Sequence, residues 1–306
     1  MAENKKLAAT FKSMDTEEWL DIHFTRPLGL LWANFFNAFG VHPNVVTILS
    51  IFLGLAAGIM FYFEGLTYSL IGIGLLVWAN LYDSCDGQLA RMTGKKTRWG
   101  RILDGFAGDV WFFAIYAAIC LRLMPVWGIW IWLLCAFAGL VCHGKQCQLA
   151  DYYRNIHLFF LKGESGSELD NSAKLTQEFQ SLSWQKDGAW KLFLFFYRNY
   201  TKSQESMTPA FQRFHSALKQ RYPSALPQQL RDDFRAGSLP LMKWANILTF
   251  NTRAIVLYIA ILVGQPWIYP VFEITIMNIL FFYMRAKHER LCRELTQRLD
   301  TYETTL

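Results

Sequence analysis

Residues 70–91 read LIGIGLLVWANLYDSCDGQLAR. An apolar run broken by little but glycine ends on two carboxylates, Asp83 and Asp86, three positions apart. Apolarity all round a helix, rather than along one stripe, suits a segment surrounded by hydrocarbon. A charge deep in a bilayer costs on the order of 2.5–3.5 kcal/mol on insertion scales. The carboxylates therefore mark the place where a span reaches the membrane face.

Working outward, the block Leu66 to Asp86 has five counterparts of about 20 residues, the length a hydrocarbon layer of roughly 30 Å requires of a helix. They are Pro43 to Phe63, Ile102 to Met124, Val126 to Gln146, Met242 to Gly264 and Pro266 to Met284. The chain of 306 residues is 53% hydrophobic and 16% aromatic, and these blocks hold most of that excess. The fold class expected is all-α: a polytopic membrane protein with six transmembrane helices.

Charge gives the orientation independently of hydropathy, because basic residues collect on the cytoplasmic side. Lys5, Lys6, Lys12 and Arg26 precede the first block; Arg91, Lys95, Lys96, Arg98 and Arg101 follow the second. Lys145, Arg154 and Lys162 follow the fourth, and Arg285, Lys287, Arg290 and Arg293 the sixth. The turns Glu64-Gly65, Met124-Pro125 and Gly264-Gln265 carry almost none. Both termini are thus expected in the cytoplasm. The net charge of +6 is accounted for by basic loops beside anionic headgroups, so no nucleic-acid partner is expected. No cleavable leader is expected in the polar first stretch. Cys85, Cys120, Cys135, Cys142, Cys147 and Cys292 form no C-x-x-C pair, which points away from a zinc site or a disulfide framework.

Four regions follow. Residues 1–41 hold an N-terminal interfacial amphipathic helix, with Trp19, Leu28, Leu31, Phe35 and Phe39 among its apolar positions and Pro27 expected to break or kink it. Residues 42–149 hold the first four spans and the acidic motif. Residues 150–240 form a cytoplasmic insertion, helical near 172–202 and 208–221, and residues 241–306 the last two spans and a tail. The role of the insertion is not legible from its residues.

The chemistry concentrates between residues 83 and 109. Asp83 and Asp86 share one helix face, and Asp104 and Asp109 open the next span. Carboxylates from two facing helices suit a hard divalent cation, Mg2+ or Mn2+, and two such ions can be bridged. Gly87 and Gly100 leave room beside them, and Arg91 with its basic neighbours makes a mouth suited to phosphate. A phosphate-bearing ligand at the membrane face is one reading; a cation-binding transporter or a set of interfacial charges is the other.

The spacing resembles the signature of the CDP-alcohol phosphotransferase (CDP-alcohol phosphatidyltransferase) family, D-x-x-D-G-x-x-A-R-x8-G-x3-D-x3-D. Asp83, Asp86, Gly87, Ala90, Arg91, Gly100 and Asp104 all fall in register. His42-Pro43-Asn44-Val45-Val46-Thr47 looks like the Pro-Asn-x-x-Thr at the start of that family's first span. The resemblance implies six spans with a juxtamembrane helix, and transfer of a substituted phosphate from a CDP-linked donor to an alcohol with release of CMP. It implies Asp83, Asp86 and Asp104 as metal ligands to a pair of ions. Asn44, Thr47, Gly87, Ala90, Arg91 and Gly100 would then lie at the donor nucleotide and its phosphates. The last aspartate is implied as both ligand and general base. Lipid substrates within the bilayer are the implied partners, with a homodimer by family analogy.

This chain departs from the pattern at its end, where Gly108 stands at the expected position and Asp109 follows. In a regular helix Asp109 lies about 140° round from Asp104. A π-type turn between them is the expectation that returns it to the site. The run Leu103 to Trp111 resembles a divergent bacterial subgroup associated with inositol-containing or ceramide-based lipids, which implies a bacterial inner membrane. Arg253, inside the fifth block, is expected to meet an acceptor phosphate or the acidic cluster, and His143 and Lys145 to line an acceptor pocket. Three rivals stay open: a sphingolipid headgroup transferase acting on ceramide, a cation-coupled transporter, and a catalytically dead relative.

Overall fold

The structure is a computed structural model and describes residues 13–302. Thirteen α-helices carry the argument: α1 (Arg26–Ala38), α2 (Pro43–Tyr62), α3 (Leu66–Thr93), α4 (Arg98–Trp127), α5 (Ile129–Ala136), α6 (Gly144–Lys162), α7 (Ser172–Ser181), α8 (Trp184–Met207), α9 (Pro209–Arg221), α10 (Gln228–Ile247), α11 (Phe250–Leu262), α12 (Ile268–Ile274) and α13 (Ile276–Gln297). No strand occurs among the described residues. The basic residues Lys5, Lys6 and Lys12 lie outside them.

Five segments are long and apolar enough to cross a membrane: Pro43–Tyr62, Ile102–Trp127, Ile129–Lys162, Gln228–Leu262 and Ile268–Gln297. The chain is an integral membrane protein. The block expected as the second span is the 28-residue helix α3, which is not among these five. Its apolar stretch is diluted by Asn80, Tyr82 and Asp83, the same residues that make it interesting.

By packing, the described chain divides into two compact units. The first runs to His143 and resumes over Phe250–Thr275; the second comprises Gly144–Thr249 and the chain from Ile276.

In the first unit α2 packs along α3 and α4, and α1 along α3. Small residues set the approach of α2 to α4. A Cβ at Gly54 would stand 2.0 Å from Trp111 Cδ1, and one at Gly58 2.7 Å from Ala114 Cβ. This is a G-x-x-x-G face, the spacing that lets two helices meet in a membrane. Phe61, Leu76, Ala79, Trp111, Ile115 and Ile119 fill the core around it. Pro27 neither breaks nor ends its helix. A π-helical stretch, Asp21–Thr25, precedes α1, and this shift of register accommodates a residue with no N–H to donate.

The second unit contains most of the expected insertion. Here α6 packs on α10, and α13 on both α9 and α10. Glu289 accepts from the backbone N–H of Ala210 (2.7 Å) and Phe211 (3.3 Å), capping the start of α9. Arg231 donates to the carbonyls of Phe160 and Leu161, both at 2.8 Å, near the end of α6. The imidazole of His288 stacks on Tyr153 at 3.8 Å between ring centroids. Because they follow a span, His288 and Glu289 read from sequence as a solvated helix face; both are buried.

Candidate active site

Two helix ends build the acidic site. The end of α3 carries Asp83 and Asp86, and Gly94, at φ +68°, terminates that helix in the left-handed conformation that favours glycine. After a short loop, Thr97 caps α4 by accepting from the Gly100 N–H at 2.9 Å. That cap aims Asp104, on the second turn of α4, back at the end of α3. Ligand oxygens of Asp83, Asp86 and Asp104 all lie within 4.8 Å of one another. Asp86 is buried, Asp83 half-buried and Asp104 exposed, so the cluster opens on one side.

The motif at the start of α2 belongs to the same place. A Cβ at Gly100 would stand 3.0 Å from Asn44 Oδ1; the missing side chain is what lets the start of α4 lie against Asn44. Thr47 lies beside Asp86, and its hydroxyl donates to the Pro43 carbonyl at 3.3 Å. Arg91 folds back over its own helix, with a Cβ at Gly87 lying 3.4 Å from its guanidinium, an ordinary contact. The space expected beside Gly87 is bordered by the Arg91 side chain. Ala90 is one residue before it, half-buried. α1 closes one flank: Gln88 donates to the Arg26 carbonyl at 3.0 Å, and Arg26 pairs with Glu17 at 3.2 Å.

Two observations test whether a cation and a phosphate fit. Asp86 Oδ2 is buried and has no hydrogen-bond partner. A buried carboxylate oxygen left bare costs several kcal/mol of lost hydration unless something positive meets it. Arg91 Nε and one terminal nitrogen are likewise buried without partners. Three close carboxylates with a bare oxygen fit a divalent cation, and a guanidinium with two bare nitrogens fits a phosphate.

The fourth aspartate is a correction. α4 is α-helical throughout, with no π-type turn between Asp104 and Asp109. Asp109 is therefore turned about 140° from Asp104 and lies about 7.5 Å along the axis. It is exposed, outside the group of three, and its charged neighbour is His143. The π-helical stretch occurs elsewhere, over Phe137–His143.

Arg253 is also placed differently from the expectation. It is fully buried and donates to Glu273, itself fully buried, and its Nη1 lies 2.9 Å from His143 Nδ1. Tyr269 donates to the same carboxylate at 2.7 Å. Its carboxylate partner is Glu273 rather than the acidic cluster, and the guanidinium is not open to an acceptor phosphate. Lys145 belongs to the second unit, where it donates to the Ser203 hydroxyl. Reading the sequence missed Glu273. The available signal was a second charge, opposite in sign to Arg253, inside the neighbouring apolar block.

The sequence profile of the CDP-alcohol phosphatidyltransferase family matches residues 40–155. A protein of Aquifex aeolicus (strain VF5) named bifunctional IPC transferase and DIPP synthase is 32% identical over 99 residues, which are 32% of this chain and 22% of that protein. A second protein of the same organism, named only as uncharacterized, is 38% identical over 71 residues, 23% of this chain and 35% of that protein. The chain thus spans about a fifth to a third of the length of these curated relatives. The matched segment contains α2, α3, α4 and the whole acidic cluster. The likeness to the CDP-alcohol phosphatidyltransferase family therefore lies over residues 40–155 of this chain.

Proposed function

We propose that the chain is an integral-membrane phosphotransferase of lipid synthesis, moving a substituted phosphate from a CDP-linked donor to an alcohol acceptor. The observation that carries this is the bare, buried Asp86 oxygen within the Asp83–Asp86–Asp104 cluster, together with two buried Arg91 nitrogens that have no hydrogen-bond partner. Asp83, Asp86 and Asp104 hold the divalent metal, Mg2+ or Mn2+, one ion or two. When bound, the metal neutralises the donor diphosphate and its leaving group. Arg91 holds a phosphate of the donor, while Asn44, Thr47, Gly87, Ala90 and Gly100 shape the space for its nucleotide.

In the reaction the acceptor oxygen bonds to the phosphorus of the substituted phosphate. The bond from that phosphorus to the oxygen bridging to CMP breaks, and CMP leaves with the electron pair. The hydroxyl proton passes to a carboxylate of α4. Asp104, exposed at the open side of the cluster, is better placed for this than Asp109. Both termini and the site face the cytoplasm, where a soluble or lipid-borne CDP donor arrives. A sphingolipid-type headgroup transfer is the second reading. The name of the Aquifex IPC transferase and DIPP synthase puts inositol-bearing substrates on the panel that tests it.

The test incubates purified protein in nanodiscs with CDP-linked donors, phosphatidylinositol, and inositol phosphate, diacylglycerol or ceramide acceptors. Mass spectrometry then identifies the lipid product and released CMP. Turnover with CMP release, abolished by chelation and restored by Mg2+ or Mn2+, is expected, and Asp86→Asn should fold, insert and fail to turn over. Full turnover after exhaustive chelation, or in Asp86→Asn, would refute the metal assignment. Product without CMP favours the second reading.

A further inference from the structure

The second unit carries an apolar face that its own core does not use. Along α8, Trp184, Leu192, Phe195 and Phe196 are 56%, 50%, 40% and 62% exposed. At about 100° per residue, Leu192, Phe195 and Phe196 fall within roughly 100° of the helix circumference, with Asn199 between them. A face of this size left in water is a liability, so something covers it.

Charge identifies the cover. Every acidic side chain over α7 and α8, and Asp170 just before them, is engaged inside the unit. Asp170 accepts from Tyr197, Glu178 from Trp190, Asp187 from the Ser183 N–H and Glu205 from Ser172. The cations are not so engaged: Lys174, Lys186, Arg198 and Lys202 have no carboxylate partner among the described residues, and all but Arg198 are exposed. Arg198, and the buried Lys191 beside it, lie over aromatic rings. Arg198 lies 4.5 Å over Phe179 and 5.6 Å over Phe195, and Lys191 lies 5.3 Å over Trp184. Exposed aromatic rings flanked on the same helix by Arg198 and Lys202 match the headgroup zone of a bilayer, where a ring buries its body and a cation meets a phosphate. The bilayer is also at hand: the chain enters this region from the span Ile129–Lys162 and leaves it by Gln228–Leu262.

We propose that α8 is a second interfacial helix, seated through Leu192, Phe195 and Phe196 in a lipid surface containing anionic headgroups. A soluble-looking insertion between spans then becomes a lipid-sensing surface of the protein, distinct from the acidic site.

The test uses the full chain in nanodiscs of phosphatidylcholine and phosphatidylglycerol. Cys147→Ser removes the one native cysteine that is not buried. A nitroxide is attached through Asn199→Cys, which leaves the four apolar side chains intact, or through Gln220→Cys on exposed α9 as the aqueous control. The Asn199 probe should be relaxed more by oxygen than by a water-soluble nickel chelate, and the Gln220 probe the reverse. The oxygen preference should shrink in pure phosphatidylcholine, and Phe195→Ser with Phe196→Ser should return the Asn199 probe to water. Relaxation like that of the control in both lipid mixtures would overturn the proposal. So would strong dipolar coupling between Asn199 probes, which means that a second copy covers the face.

Discussion

Glu273→Gln isolates the charge of a residue that reading the sequence missed. Both Glu273 and Arg253 are 0% exposed, and the carboxylate also serves Tyr269 at 2.7 Å and lies 3.5 Å from His143 Nδ1. Glutamine keeps the volume and can still accept from Arg253 and Tyr269, but it leaves the guanidinium uncompensated in an apolar core that includes Phe112 and Tyr116. Breaking a buried pair on one side costs about 3–5 kcal/mol. At the lower end that is roughly a 100-fold loss in the folded-to-unfolded ratio. The double change Arg253→Met with Glu273→Leu removes both charges and leaves none uncompensated, and exchanging a whole buried pair for apolar groups of similar volume is often neutral. The double variant should therefore be more stable than the single one. Unfolding midpoints in nanodiscs, followed by intrinsic fluorescence, give the comparison. A double variant as unstable as the sum of its parts would show that the pair is not held by mutual charge compensation.

Three further outcomes follow from the same geometry. Arg91→Ala should weaken binding of a CDP-linked donor while leaving stability within about 1 kcal/mol of wild type, because Nε and one terminal nitrogen of its guanidinium have no hydrogen-bond partner; unchanged affinity in a titration would reduce Arg91 to a topology signal. His215 on α9 is pulled down from 6.5 to about 4 by burial and then by Lys219. The unfolded chain therefore binds the extra proton between those values, and stability is full above pH 6.5 and lost as pH falls. The loss is about 2 kcal/mol by pH 5; His215→Gln should flatten that slope, and an unchanged slope would remove His215 as its source. Asp109→Asn should keep most of its turnover while Asp104→Asn loses it. Gly108→Asp, which has open space for its side chain, should add a carboxylate about 40° from Asp104 and raise metal affinity; collapse of turnover in Asp109→Asn would return the base to Asp109.

What reading the chain reveals depends on how local the determining contacts are. Asp83, Asp86 and Asp104 were legible because three-residue helical spacing and a short capped loop decide where they point. Gly100 was legible as a gap beside the carboxylates, but its pairing with Asn44 was legible only through resemblance. Their contact spans two helices, and the reason for Gly100 is an atom of Asn44 at 3.0 Å from where its Cβ would be. Arg253, Glu273 and His143 meet across 20 and 110 residues of chain, and no local period announces such a meeting. His288 and Glu289 looked solvated because they follow a span. They are buried because α13 runs on to Gln297 and packs on α9 and α10, which hydropathy along one helix cannot register.

The expected π-type turn in α4 is absent for a physical reason. An extra residue is absorbed only where the ladder is already strained or a displaced group must be paired. Asp109 has neither pressure upon it, since it is exposed and has His143 as its charged neighbour. Gly105 and Gly108 lower helix propensity by about 1 kcal/mol each relative to alanine, but α4 is 30 residues long and packed along α2 through Gly54 and Gly58. A π-type turn would rotate every later residue of α4, Trp111 and Ala114 included, out of that close fit. The π stretches that do occur stand next to Pro27 and immediately before His143, where a missing N–H or the demands of the Arg253–Glu273 pair supply the reason that α4 lacks. Position 108, a glycine with open space around it, is thus where this chain and the family pattern part, and three carboxylates remain together.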